Sequence, residues 1–107
     1  MHLSTLAKLF EQRPDIKQQC LDELSTGPGD IVAHWWRVGT KLASLPKYNN
    51  IITLTFMFQV EKQGQDTATR ATVFLNRIVD EGIMAMDFAD SLRRANLADL
   101  ALKVEGK

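Results

Sequence analysis

The sequence predicts an all-α domain, a compact globule of six or seven short amphipathic helices. Three observations carry that expectation. Apolar residues recur every three or four positions through most of the 107 residues, the spacing of one face of a helix. Breakers such as "STGPGD", "PKYNN" and "GQDT" separate these stretches at short intervals. The one run that alternates as a strand would, through Leu54, Phe56, Phe58 and Val60, has no second strand to pair with, and a lone strand leaves its backbone groups unsatisfied.

In order along the chain, "LSTLAKLFEQR" sets Leu3, Leu6, Leu9 and Phe10 at helical spacing, with Ser4 or Thr5 as cap. Pro14 ends this helix or opens the next one at its first turn. "PDIKQQCLDEL" then puts Ile16, Cys20, Leu21 and Leu24 on one stripe. Beyond the glycine-proline breaker, Asp30 is placed to cap "IVAHWWRVGTKLASL". Successive residues of a helix lie about 100° apart, so the two adjacent tryptophans cannot share a face. The face of Trp35 holds Val38, Gly39, Leu42 and Leu45 and reads as core. The face of Trp36 holds Val32, Thr40 and Ala43, flanked by His34, Arg37 and Lys41, and reads as a boundary between apolar and basic surface.

Asn49 or Asn50 can cap the following run, "NIITLTFMFQVEKQ", which is expected as two short helices in succession, with Ile51, Leu54, Thr55 and Phe58 as its helical face. "TATRATVFLNRIVDE" carries Ala71, Phe74, Leu75, Ile78 and Val79 on one side, with Asp66 or Thr67 as cap and Gly82 just past its end. "MDFADSLRRANLADLALKV" carries Phe88, Ala89 and Leu92, then Leu97, Leu100, Ala101 and Val104, and Asn96 divides it into two helices.

A chain of this length makes one domain, burying on the order of 60–70% of the surface it exposes when unfolded. Thirteen basic residues balance thirteen acidic ones, so no global field draws the chain to nucleic acid or to an anionic membrane, and binding must come from local patches. The single cysteine, Cys20, has no internal disulfide partner and, with only His2 and His34 elsewhere, builds no zinc site. That usage fits a reducing, cytoplasmic location. The longest apolar run, "IITLTFMFQV", falls well short of the roughly 20 residues that span a bilayer, and the first residues lack the basic start and apolar stretch of a secretory signal.

Nothing in the sequence forms a catalytic constellation, so no catalytic, cofactor-binding or metal-binding residue is expected and the chain reads as no enzyme. "STGPGD" lacks the lysine of a phosphate loop, and its proline removes a donor amide. His34 has no serine or cysteine nucleophile at a motif spacing, and Cys20 sits on an apolar stripe, where thiols are inert. Met57, Met84 and Met86 read as core filling before a plastic binding surface. Asp80 and Glu81 read as a solvated acidic helix end or as recognition groups, and Arg93 and Arg94 as complements of a helix dipole or an ion-pairing patch. Trp36 is either covered by the N-terminal helix or exposed beside Arg37 and Lys41, a combination suited to interface hot spots.

From about Ile16 to Val104 the chain resembles the death-domain superfamily, death domains first and caspase-recruitment domains second. "WWRVGTKL", through Trp35, Val38, Gly39 and Leu42, is similar to that superfamily's second helix. "FLNRIVDEG" followed by "MDFADSLRRANLADLALKVEG" is similar to its fourth, fifth and sixth helices. The chain departs from the pattern in doubling the tryptophan, in the segment Met1 to Pro14, and in a third-helix region rich in phenylalanine. The resemblance implies an N-terminal extension helix over 1–14 and a six-helix Greek-key bundle of death-fold type over 15–107. It also implies a noncatalytic homotypic interaction module, an adaptor or scaffold in apoptotic or innate-immune signalling. Its partner would be another death-fold protein or a second copy in a heterologous oligomer. The interface candidates are Trp36, Arg37, Lys41, Asp80, Glu81, Arg93 and Arg94.

A small helical nucleic-acid-binding regulator, with the tryptophan helix or Arg93 and Arg94 against phosphate, is the alternative. The zero net charge counts against it, because affinity for nucleic acid rests on a basic footprint.

Overall fold

Helix ends in this chain are set by a few local hydrogen bonds and by three residues with positive φ, Gly82, Asn96 and Gly106. The computed structural model describes residues 4–26 and 33–106. Helix α1 runs Leu6–Gln12, with the Thr5 side chain accepting from the Lys8 amide, and α2 runs Pro14–Leu24. Pro14 occupies the first turn of α2, where a missing N–H costs nothing, and Arg13 is the single residue between the two helices. Helix α3 is His34–Ala43, α4 Leu54–Gln63, α5 Thr67–Asp80, α6 Ala85–Arg94 and α7 Ala98–Val104. The described residues form these seven helices and no strand, as the sequence predicts of an all-α chain.

Asp30, expected to cap the tryptophan helix, lies outside the described residues. Ala33 stands at the N-cap of α3 without a side-chain bond. His34 takes over part of the tie, its Nδ1 donating to the Glu23 carbonyl at 3.1 Å while its amide donates to the Thr26 carbonyl at 3.3 Å. Both contacts hold the start of α3 to the end of α2.

The run after Leu45 forms one helix, where two were expected. Residues 46–52 make turns, with the Tyr48 amide bonded to the Leu45 carbonyl and the Ile52 amide to the Tyr48 carbonyl. Helix α4 is capped by Thr53, whose hydroxyl accepts from the Phe56 amide at 3.1 Å, so Asn49 and Asn50 are not its caps. The face of α4 also differs from the expected stripe. Phe56, Met57 and Val60 are buried, while Leu54 and Phe58 face outward. With apolar side chains at five of seven consecutive positions from Leu54, the direction of α4 is set by its neighbours: it packs on α5, and Met57 reaches over Gly39 of α3. A Cβ at Gly39 would sit 2.4 Å from Met57 Cε and 3.1 Å from Phe74 Cε1, so any larger residue there makes the free end of Met57 move.

Helices α5 and α6 end alike. Gly82, at φ 77, donates to the Val79 carbonyl and Ile83 donates to the Ile78 carbonyl; Asn96, at φ 66, donates to the Arg93 carbonyl and Leu97 to the Leu92 carbonyl. Each is a Schellman closure, with glycine or asparagine in the left-handed position and a buried residue just beyond it. These two motifs turn the chain sharply and let α6 and α7 pack closely on one another.

One hydrophobic core joins all seven helices. Helix α1 belongs to it through Leu6, Leu9 and Phe10, and the adjoining chain pairs with the α5–α6 turn, the Leu6 amide donating to the Ile83 carbonyl at 2.8 Å and the Ala85 amide to the Ser4 carbonyl at 2.9 Å. Helix α2 packs on α5 and α7, and α3 on α6 and α5. The Cα radius of gyration is 12.5 Å, close to the value of about 13 Å expected for a folded chain of this length.

Candidate protein interface

The two tryptophans of α3 do different work. Trp35 is 2% exposed and packs on Phe74 of α5, ring centroids 5.8 Å apart. Trp36 is half-buried, edge-on to Trp35 at 5.5 Å, and its other neighbour is Phe58 of α4 at 5.7 Å. Phe56 meets Phe74 from the far side at 6.4 Å. A continuous row of rings, Phe56, Phe74, Trp35, Trp36 and Phe58, thus runs from the core to the surface. The second tryptophan is its outer step, and α4, rather than the N-terminal helix, partly covers it.

Phe58 and Leu54, one turn apart on α4, are 47% and 63% exposed. With Trp36 they make an apolar surface that spans α3 and α4. Arg37 and Lys41 follow on α3, both half-buried, and among the described residues neither has a carboxylate within ion-pair distance. Aromatic side chains beside arginine, on rigid helices, match the composition of interface hot spots. Leu54 and Phe58 were absent from the residues expected at an interface, because the sequence counted them into the core face of their helix.

The remaining candidates sit elsewhere. Asp80 ends α5 and Glu81 is its C-cap; both are exposed, at the helix end where the macrodipole disfavours negative charge. Arg93 is committed within the molecule, bonded to Glu105, a carboxylate 8% exposed at the end of α7, and 3.8 Å from Asp90. Arg94 lies 4.0 Å from Asp90. Trp36, Arg37 and Lys41 thus share α3, Asp80 and Glu81 form a separate acidic corner, and Arg93 is tied into the α6–α7 pair.

Two groups with potential reactivity, Cys20 and Tyr48, are buried. Cys20 is fully buried, and burial pushes its thiol up to about 12, which leaves no thiolate at neutral pH. Burial, and then the hydrogen bond to Asp87, push the Tyr48 phenol up to about 12 as well. Among the described residues no three histidine, cysteine or carboxylate groups converge as a metal site, and no helix is long and apolar enough to cross a membrane. A groove of about 490 Å³ opens between α2 and the α6–α7 turn, walled by Asp22 and Glu23 on one side and Asp99 on the other.

Comparison of the chain with protein-family models, with curated proteins and with solved structures returns no match.

Proposed function

We propose that this chain is a noncatalytic protein-interaction module of death-fold type, a six-helix Greek-key bundle preceded by α1, that recruits another death-fold domain in intracellular signalling. The observation that carries the proposal is the apolar surface of Trp36, Phe58 and Leu54, next to a helix that also carries Arg37 and Lys41. An apolar centre on helices that also carry basic groups gains by desolvation against an acidic partner, while the charges steer encounter and fix register. The helix order and the pairing of α2 with α7 and of α3 with α6 accord with this reading, as do the motifs around Trp35 and Asn96. The acidic corner at Asp80 and Glu81 offers a second, opposite-sign surface to a partner's basic face.

The test is capture by immobilised death domains and caspase-recruitment domains at moderate salt, followed by measurement of the mass of the complex. Binding by at least one of them, weakened by Arg37→Glu with the helical spectrum unchanged, supports the proposal. Absence of binding to every domain removes it.

A further inference from the structure

We infer that the face between α2 and α7 binds a short extended segment of a partner protein, in which an apolar residue is followed by an acidic and then a basic one. This site is separate from the α3–α4 surface and goes beyond the function proposed above. Three cavities adjoin along the face. One of about 170 Å³ is mostly apolar, with Leu9, Ile16, Met86 and Val104 in its walls. A second, of about 250 Å³, shares Arg13, Ile16 and Lys103 with it. The groove of about 490 Å³ in turn shares Gln19 and Lys103 with the second. Common walls make the three one trough, apolar at the end beside α1 and bearing Asp22, Glu23 and Asp99 at the other.

The charges along the trough select the occupant. Lys103 lines all three cavities, and among the described residues it has no carboxylate within ion-pair distance, whereas Arg13 is already bonded to Asp15. Asp22, Glu23 and Asp99 likewise have no cation within ion-pair distance among the described residues. A complementary segment sets an apolar side chain in the first cavity, a carboxylate against Lys103, and a lysine or arginine among the three carboxylates. The spacing follows from α2. Ile16 and Asp22 are six residues apart on that helix, about 9 Å along its axis. Three residues of polyproline-II chain, rising about 3.1 Å each, cover the same span and bring a side chain back to the same face. Such a backbone makes no hydrogen bonds of its own. Gln19, in the wall of the second and third cavities, holds a buried Oε1 without a hydrogen-bond donor among the described residues. A turn of this amide toward the trough lets an incoming backbone N–H donate to it.

The experiment titrates the full chain, up to roughly 1 mM, into short fluorescent peptides and follows their anisotropy. One set has a core of leucine or phenylalanine, then glutamate, proline and lysine; a second set has the glutamate and lysine exchanged. The expected result is saturable binding of the first set and at least roughly tenfold weaker binding of the second. Met86→Glu changes an exposed residue in the first turn of α6, where a carboxylate suits the helix, and weakens binding of the first set by a similar factor. Lys103→Glu with Asp99→Lys inverts the preference, so that the exchanged peptides bind better; Glu23→Lys replaces Asp99→Lys if the helical spectrum is lost. Phe58→Glu, on the α3–α4 surface, leaves both affinities where they were. No binding of either set, equal binding of both, or binding that is lost with Phe58→Glu and kept with Met86→Glu overturns the inference. Capture of a death-fold domain is read with a different probe, so either reading can fail while the other stands.

Discussion

The Tyr48 hydroxyl donates to Asp87 Oδ2 at 2.5 Å and accepts from the Met84 amide at 3.1 Å. One phenol thereby joins the turn between α3 and α4 to the first turn of α6, and Lys47 reinforces it from outside with its own bond to Asp87 at 3.1 Å. The turn fixed in this way is the chain that delivers α4, and with it Phe58, to the side of Trp36. Tyr48→Phe removes the hydrogen bond to Asp87 and strands the Met84 N–H. A loss of about 1–2 kcal/mol in denaturant unfolding is expected, as for a part-buried hydrogen bond with one partner left unsatisfied.

The same phenol gives an alkaline signature. Its folded-state pKa of about 12 lies above the ordinary value of 10, so the native state holds this proton more tightly than the unfolded chain. The stability it contributes is complete below about pH 10 and is lost as pH rises through about 12. Cys20, raised by burial in the same direction, adds a loss that starts lower, so the comparison is made with Cys20 replaced. Between about pH 9.5 and 11.5 the unfolding free energy of Cys20→Ala should fall more steeply than that of Cys20→Ala with Tyr48→Phe. Parallel curves would show that the phenol titrates alike in both states.

At Gly39 the side chain in the way is flexible. The nearest atoms to a new Cβ are Cε and Sδ of Met57, the free end of an adaptable side chain, at 2.4 and 2.7 Å. Gly39→Ala should therefore fall within about 1 kcal/mol of wild type, the gain in helix propensity offsetting the repacking. Gly39→Val presses further, on Phe74 as well, and should cost about 1–3 kcal/mol, with partial recovery when Met57→Ala makes room. Thermal or denaturant unfolding of the three variants checks the order.

Much of this architecture is legible in the sequence, because single residues with one conformational job mark the helix ends. Thr5, Pro14, Asp66, Gly82 and Asn96 each stand where their chemistry predicts. The stretch from Asn49 to Val60 resists reading for the opposite reason. Apolar side chains fill five of the seven positions from Leu54 to Val60, so the burial of Met57 and the exposure of Phe58 depend on packing against α3 and α5, which are remote in sequence. The proposed interface follows suit: Trp36, Arg37 and Lys41 are readable from α3 alone, whereas the exposure of Leu54 and Phe58 on α4 exists only after packing. The commitment of Arg93 to Glu105 is likewise a contact across the α6–α7 turn that no spacing rule signals.

The closing asparagine of α6 gives a sign test. Asn96 sits at φ 66, a region glycine enters freely and β-branched residues do not. Asn96→Gly should leave unfolding free energy unchanged or slightly raised, and Asn96→Val should lower it by about 1–2 kcal/mol. Equal stability of the two variants would contradict a left-handed residue at this turn.

The tryptophan pair separates core from surface. Trp35→Ala opens a cavity against Phe74 and should cost about 3–5 kcal/mol, enough to threaten a domain of this size. Trp36→Ala should cost clearly less in unfolding, since its ring is half-buried, while removing the outer step of the aromatic row. Similar losses from both substitutions would mean that Trp36 is core.

The central claim, that α3 and α4 together present the binding surface, is tested most directly by affinity for a captured death-fold partner across single substitutions in the full chain. Phe58→Glu is the decisive variant: its side chain is 47% exposed, so folding is spared, and it sits on the half of the surface that α4 supplies. The account predicts at least roughly tenfold weaker binding for Phe58→Glu and for Arg37→Glu, and no change for Arg94→Glu. Binding that survives Phe58→Glu and Arg37→Glu but is lost with Arg94→Glu would contradict it.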